Sequence, residues 1–198
     1  MKTAAKTQLE PRKPSSDDCL IALCLKGDQQ AWADLVDKYK NLIYSIPIKL
    51  GMYDDAGDIF QSVCVDLLSD LPRLRQPKAL PKWLMQVCYH KCLAHRSRAK
   101  RQVQLEDEDA ENIPAESSGT VLPEEMLAQL QQEQTVRDAV SGLAPRCARM
   151  VSMLFFETPP RPYQEIAKEL GIATGSIGFV RGRCLERLKK GLEKMGFQ

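Results

Sequence analysis

The chain has 198 residues, 43% hydrophobic and 27% charged, enough to build packed cores in one domain or two small ones. Its net charge of +2 and pI of about 8.1 exclude a uniformly polycationic binder, so any contact with nucleic acid has to come from local basic clusters. No apolar run reaches the ~20 residues of a transmembrane helix, and the first 18 residues lack the apolar segment of a signal peptide, so a cytoplasmic protein without membrane insertion is expected.

Residues 1–16 are polar, contain Pro11 and Pro14, and read as a disordered extension. Asp17 or Asp18 is placed to cap a short helix, Cys19 to Lys26, that stops at Gly27. Asp28 then caps a longer helix with Ala31, Trp32, Leu35, Val36, Tyr39, Leu42, Ile43 and Ile46 at spacings of three and four. Pro47 predicts a kink or break there, and Gly51 ends the segment. A third helix is expected over Asp54 to Leu71, with Ile59, Val63, Leu67 and Leu71 at i+4 spacing and Phe60, Cys64 and Leu68 beside them. Asp54 and Asp55 favour its dipole.

Pro72, Arg73, Arg75, Gln76, Pro77 and Lys78 make a basic loop. A fourth helix, about Ala79 to Arg101, is expected to turn Leu80, Leu84, Val87, Cys88 and Ala94 inward and Lys82, Gln86, Tyr89, Leu93, Arg96 and Lys100 outward. It ends in the basic run RSRAKR. The charge sign then reverses in LEDEDAENIPAESSGT, Leu105 to Thr120, the body of a flexible acidic linker expected over 103–121. An acidic tether between basic surfaces discourages unaligned binding; plain solubility explains it as well. Helical pattern resumes at Pro123 and runs through Met126, Leu127, Leu130, Val136 and Val140 to Gly142. A further helix covers Pro145 to Phe156 with Met150, Val151, Leu154 and Phe155, and Pro159, Pro160 and Pro162 form a rigid turn. No strand-type alternation occurs, so the expected fold is all-α, with two small helical domains over 17–102 and 122–198.

The segment PYQEIAKELGIATGSIGFVRGRCLERLKK carries the strongest functional pattern. A helix over Tyr163 to Leu170 with Ile166, Ala167 and Leu170 on one face is followed by Gly171, a C-cap glycine. A second helix, from Ala173 or Thr174 to about Met195, has the stripe Ile177, Val180, Cys184, Leu188 and Leu192. This is a helix-turn-helix layout, whose second helix enters the DNA major groove. Gly175, Ser176, Phe179, Gly182, Arg183, Glu186 and Lys190 fall on the opposite face, with Arg181 and Arg187 at its flanks. Three glycines in the first half of this helix, Gly175, Gly178 and Gly182, cost roughly 1 kcal/mol each relative to alanine, which close approach of a DNA backbone would justify. The plain alternative is an amphipathic helix with a solvated basic face.

The order of parts from about Gly27 to Leu192 resembles the extracytoplasmic-function group of the bacterial sigma-70 family. The matching segments are GDQQAWADLVDKYKNLIY, DDAGDIFQSVCVDLL and PKWLMQVCYHKCLAHRSRAKR, then LAPRCARMVSMLFFE and the helix-turn-helix. The resemblance implies a promoter-melting region 2, a linker, and a region 4 that reads the −35 element. It implies RNA polymerase core and promoter DNA as partners, allows for an anti-sigma factor, and requires no cofactor.

In the family an Asp-x-x-Gln-Glu helix docks on the polymerase. Asp58 and Gln61 match it, Asp55, Asp66 and Leu67 are neighbours, and Ser62 replaces the usual Glu. The resemblance implies that Lys82, Gln86, Tyr89, His90, Arg96 and Lys100 capture unstacked bases and phosphates of the −10 element. Arg73, Arg75 and Gln76 would border a pocket for a flipped base. His90 stands where Asn is frequent, which implies an altered base preference; Trp83 fits a core anchor better than a stacking platform. In region 4, Arg183 would read guanine, Phe179 a thymine methyl, and Ser176 a phosphate or base edge, while Arg181, Arg187 and Lys190 hold phosphates. Gly178 replaces the family's usual Lys.

The seven cysteines, with no tandem C-x-x-C, read as free and mostly buried thiols, Cys88 and Cys184 as core thiols. Cys88, Cys92 and His95, with His90 nearby, were the one pattern to weigh as a metal site, but one helix rarely supplies four tetrahedral ligands. An enzyme has little support: there is no Gly-rich phosphate loop or paired catalytic motif. The competing function is a transcriptional regulator that binds duplex DNA without the polymerase.

Overall fold

A computed structural model describes residues 16–74, 76–106 and 121–197. The expectations for residues 1–15, for Arg75 and for linker residues 107–120 lie outside the described residues. Every regular element described is helical, so the fold is all-α as expected.

Helix α1 spans Asp17–Leu25. Its cap is Ser16, whose hydroxyl accepts from the Cys19 N–H at 3.4 Å, and not Asp17 or Asp18. The Asp17 carboxylate is engaged elsewhere, accepting from Lys38 Nζ and from the Tyr39 hydroxyl, each at 2.8 Å. Gly27 takes a φ of 84°, which turns the chain into α2, Gln29–Lys49. Asp28 caps α2 as expected, accepting from Gln30 N–H at 2.9 Å and Ala31 N–H at 3.1 Å.

Helix α2 does not end at Pro47 but continues to Lys49. A proline removes the N–H that would bond the carbonyl four residues earlier, here that of Ile43. The Cys88 thiol supplies a replacement, donating to the Ile43 carbonyl at 3.4 Å. This buried sulfur therefore satisfies a backbone group as well as filling space.

Helix α3 covers Ala56–Asp70, and a 3₁₀ turn follows over Leu71–Arg73. A second such turn, Pro77–Ala79, leads into α4, Leu80–Glu106. Helix α4 thus reaches past the expected boundary, and residues 103–106 are helical rather than linker. Ile59, Val63, Leu67 and Leu71 are buried as their spacing predicts. The phase of α4 is corrected: Leu80, Leu84, Met85, Cys88, Tyr89 and Cys92 are buried, and Leu93 packs against the same core, whereas Ala94 is exposed. Both α2 and α3 pack on α4, so its buried stripe is wider than one face.

Helix α5, Glu124–Ser141, begins one residue later than expected, with Pro123 in the capping position. One side packs on α2 and α4, the other on α6 and α8. Leu122 and Leu130 are buried in the first core, and Lys49 pairs with Glu133 at 2.8 Å. Buried Gln134 donates to Asp138 at 2.9 Å, and Lys38 lies 4.0 Å from the same carboxylate. Burial pushes the Asp138 carboxyl above its ordinary value, with Lys38 and Gln134 pulling the other way.

Helices α6 (Pro145–Phe155), α7 (Tyr163–Leu170) and α8 (Ile177–Lys194) enclose a second core of Cys147, Met150, Met153, Ile166, Ala167, Ile177 and Cys184. Phe155, expected among the apolar positions of α6, is exposed. Two cysteines are not free thiols: Cys147 and Cys184 form a disulfide with their Cα atoms 5.3 Å apart. The proline turn between α6 and α7 is held by a closed ring of charges. Arg149 reaches Glu157 at 2.7 Å and Glu169 at 2.5 Å, while Arg161 reaches the same two carboxylates, each at 2.5 Å.

Candidate nucleic-acid interface

The helix-turn-helix is built as its sequence demands. Gly171 adopts the left-handed conformation, φ 62° and ψ 43°, and the Ile172 N–H returns to the Ala167 carbonyl at 2.9 Å, closing α7. A 3₁₀ turn, Thr174–Ser176, then feeds α8. Ile177 and Cys184 are buried, and Val180 packs against the second core. Gly175, Ser176, Phe179, Gly182, Arg183, Glu186 and Lys190 are all exposed, as are Arg181 and Arg187.

Four of these side chains are held in place. The Arg183 guanidinium lies 5.4 Å from the centroid of the Phe179 ring, a cation–π pair that braces both on the outer face. Arg181 Nη1 donates to the Tyr163 hydroxyl at 2.5 Å, tying α8 to the start of α7. Arg187 Nη1 lies 3.8 Å from Cys147 Sγ on α6. The Tyr163 contact was not anticipated from the sequence; its position at the first turn of α7, beside a proline, gave no signal of the partner.

On the first core, α4 exposes Lys82 and Arg96. Gln86 Nε2 and His90 Nε2 are 2.9 Å apart, so Lys82, Gln86 and His90 form a polar ridge at i, i+4, i+8. Arg73 is exposed and lies 3.4 Å from Asp70. Gln76 is exposed, whereas Trp83 is half-buried against the first core. Tyr89 is only 8% exposed and belongs to that core, which corrects its expected place on the outer face. The side chain of Lys100 and all of Arg75 lie outside the described residues.

Helix α3 presents a different surface. Asp58 and Gln61 are exposed on it, and Val65 and Leu68, both 63% exposed, continue the same stripe at i+7 and i+10 from Asp58. Leu68 was expected near the core stripe and Val65 was overlooked, although their wheel positions opposite Ile59 and Val63 signal the outward face. Leu67 is buried. Asp66 is paired with Lys91 of α4 at 2.8 Å, and Asp55 lies 3.6 Å from His95, so these two carboxylates brace α3 against α4. His95 faces Asp55, while the thiols of Cys88 and Cys92 share a hydrogen bond inside the core.

No family model matches the chain. It is similar to the ECF RNA polymerase sigma factor SigW of Bacillus subtilis (strain 168), with 25% identity over 176 residues. That match covers 86% of this chain and 93% of the relative, and so runs through both helical cores. With its helical order, two cores and helix-turn-helix, the chain is similar over most of its length to an ECF RNA polymerase sigma factor.

Proposed function

We propose that this chain is an ECF-type sigma factor that directs RNA polymerase core to specific promoters and initiates transcription there, working in the cytoplasm and catalysing no reaction itself. Residues 17–102, with the end of α4 to Glu106, act as the polymerase-docking and −10 unit, 107–121 as the linker, and 122–198 as the −35 unit. The observation that carries this reading is the α3 stripe of Asp58, Gln61, Val65 and Leu68. A regulator that only binds duplex DNA has no use for a second exposed surface with two large apolar side chains on it, whereas a polymerase subunit needs one.

On this reading Asp58 and Gln61 touch the core enzyme, and Asp55 and Asp66 set the tilt of α3 through His95 and Lys91. Lys82, Gln86, His90, Arg96 and Arg73 meet the −10 strand, with phosphate contact dominating because buried Tyr89 offers no stacking face. Arg183, braced by Phe179, reads a base at −35; Ser176, Arg181, Arg187 and Lys190 hold the backbone. An anti-sigma factor remains part of the reading without an assigned surface. The test is a mobility shift on promoter fragments with the protein alone and with purified core. Specific retention only in the presence of core supports the sigma reading; equal specific retention by the protein alone supports the regulator.

A further inference from the structure

We propose that Cys147 and Cys184 are a reversible dithiol–disulfide site, oxidised by a hydroperoxide, whose closed form locks the recognition helix α8 onto α6. The two residues are 37 positions apart in sequence, yet their Cα atoms stand 5.3 Å apart and both side chains are buried in the second core. Cys184 sits in the middle of α8, one residue after Arg183 and three before Arg187, so a bond there fixes the helix at its reading segment. Rigid attachment to α6 is a structural change with a direct consequence for the face that carries Phe179 and Arg183. That consequence rests on the proposed −35 role, and the reducing surroundings rest on the proposed place beside RNA polymerase; the geometry of the pair rests on neither.

Two features make the site a reactive one. A protein that works beside RNA polymerase lives among reduced thiols, and a disulfide in such a compartment is typically transient and redox-sensing. The Arg187 guanidinium is 3.8 Å from Cys147 Sγ, and an adjacent cation stabilises a thiolate, the nucleophilic form. The remaining cysteines lack this help. Burial, with Asp28 adding to it, pushes the Cys24 thiol up to about 11, burial raises Cys64, and Cys88 is committed to the Ile43 carbonyl and to Cys92; Cys92 is shifted down, but by its hydrogen bond with Cys88 inside the first core and not by a cation.

The sequence of steps balances. The Cys147 thiolate attacks one peroxide oxygen, the O–O bond breaks, and the leaving oxygen takes up a proton as water, or as an alcohol from an organic peroxide. Cys147 is then a sulfenic acid. The Cys184 sulfur attacks the Cys147 sulfur, the S–O bond breaks, and the departing hydroxide takes the Cys184 proton to form a second water. Two thiols lose two electrons and two protons, and the peroxide gains them. A dithiol reductant reverses the bond by exchange.

The test uses the full chain, fully reduced and then freed of reductant. Hydrogen peroxide at low equivalents is expected to remove two of the seven titratable thiols, to yield a peptide linking 147 to 184, and to return all seven thiols after dithiothreitol. The melting transition of the second core is expected to rise by at least about 10 °C on oxidation. Neither Cys147→Ser nor Cys184→Ala should give the paired thiol loss, the 147–184 linkage or the shift, and Cys184→Ala should stop at a sulfenic acid on Cys147; if a variant fails to fold, the oxidised and reduced wild-type forms still decide. Retention of all seven thiols, a different cross-link, irreversible thiol loss, or an unchanged melting transition overturns the proposal. A site that passes these tests in a protein that fails core-dependent transcription would sink the functional reading and leave the redox pair standing; the converse result would do the opposite.

Discussion

Gly182→Ala separates the stability of the recognition helix from its fit to DNA. Gly182 lies inside α8, on the exposed face between Phe179 and Glu186, and a Cβ built there meets nothing within 4 Å. The protein itself therefore has no steric objection to the methyl group. Alanine in a helix interior is favoured over glycine by about 0.8–1 kcal/mol. For a unit of 60–100 residues that corresponds to a rise in melting temperature of roughly 4–8 °C. Any loss of function must then arise from the partner.

If α8 approaches the DNA backbone at van der Waals distance along this face, the added methyl forces the helix outward. Affinity for a −35 duplex should then fall about tenfold, or ~1.4 kcal/mol. Thermal melting and −35-dependent binding, both measured on the same reduced protein, give the two numbers. A variant that is more stable and binds as well as the wild type would remove the glycine face from the interface.

The double variant Asp58→Ala, Gln61→Ala should lose co-elution with polymerase core while keeping its circular dichroism and melting temperature, because both side chains are exposed; unchanged co-elution would refute the α3 assignment. Arg183→Ala should cost about 1–3 kcal/mol on the best site and relax preference at one or two −35 positions. Lys190→Ala should instead weaken all sequences alike and lower the salt slope by roughly one unit, both read from binding isotherms at several salt concentrations. Asp138→Asn keeps an oxygen for Gln134 and removes a carboxylate whose pKa is raised by burial above 3.8. A raised carboxyl pKa favours the folded state below pH 3.8 and loses that contribution as pH rises through the folded value. The variant should therefore flatten the pH dependence of stability in the acid range above pH 3.8 and change stability at pH 7 by less than about 1 kcal/mol, as denaturant titrations would show.

The helix-turn-helix was legible residue by residue, because an apolar spacing of three and four ends at a glycine that only the left-handed region suits, and that is where α7 stops. Helix α3 was legible for the same reason, since Ile59, Val63, Leu67 and Leu71 keep a single strict row. Helix α4 was misread in phase. It carries apolar side chains on several sides, and which of them are buried depends on α2 and α3 both packing against it. Pro47 was read as a break because its remedy, the Cys88 thiol, lies 45 residues away in another helix.

The Cys147–Cys184 bond was likewise hidden, since pairing depends on how α6 and α8 meet. Periodicity gives α5 an apolar stripe but does not say which core receives it; Leu122 and Leu130 join the first core while the helix also touches α8. On α8, spacing alone put Arg183 and Lys190 on the exposed face. The bracing by Phe179 and Tyr163, and the ion pairs that occupy Asp66 and Asp55, are properties of the assembled fold.

Run-off transcription on genomic fragments, with purified core polymerase and this chain as the only added specificity subunit, tests the central claim most directly. Discrete transcripts are expected that require both components, whose start sites share a common upstream sequence, and that vanish with the Asp58→Ala, Gln61→Ala double variant. Absence of any chain-dependent start, together with specific binding of the same fragments by the chain alone, would contradict it.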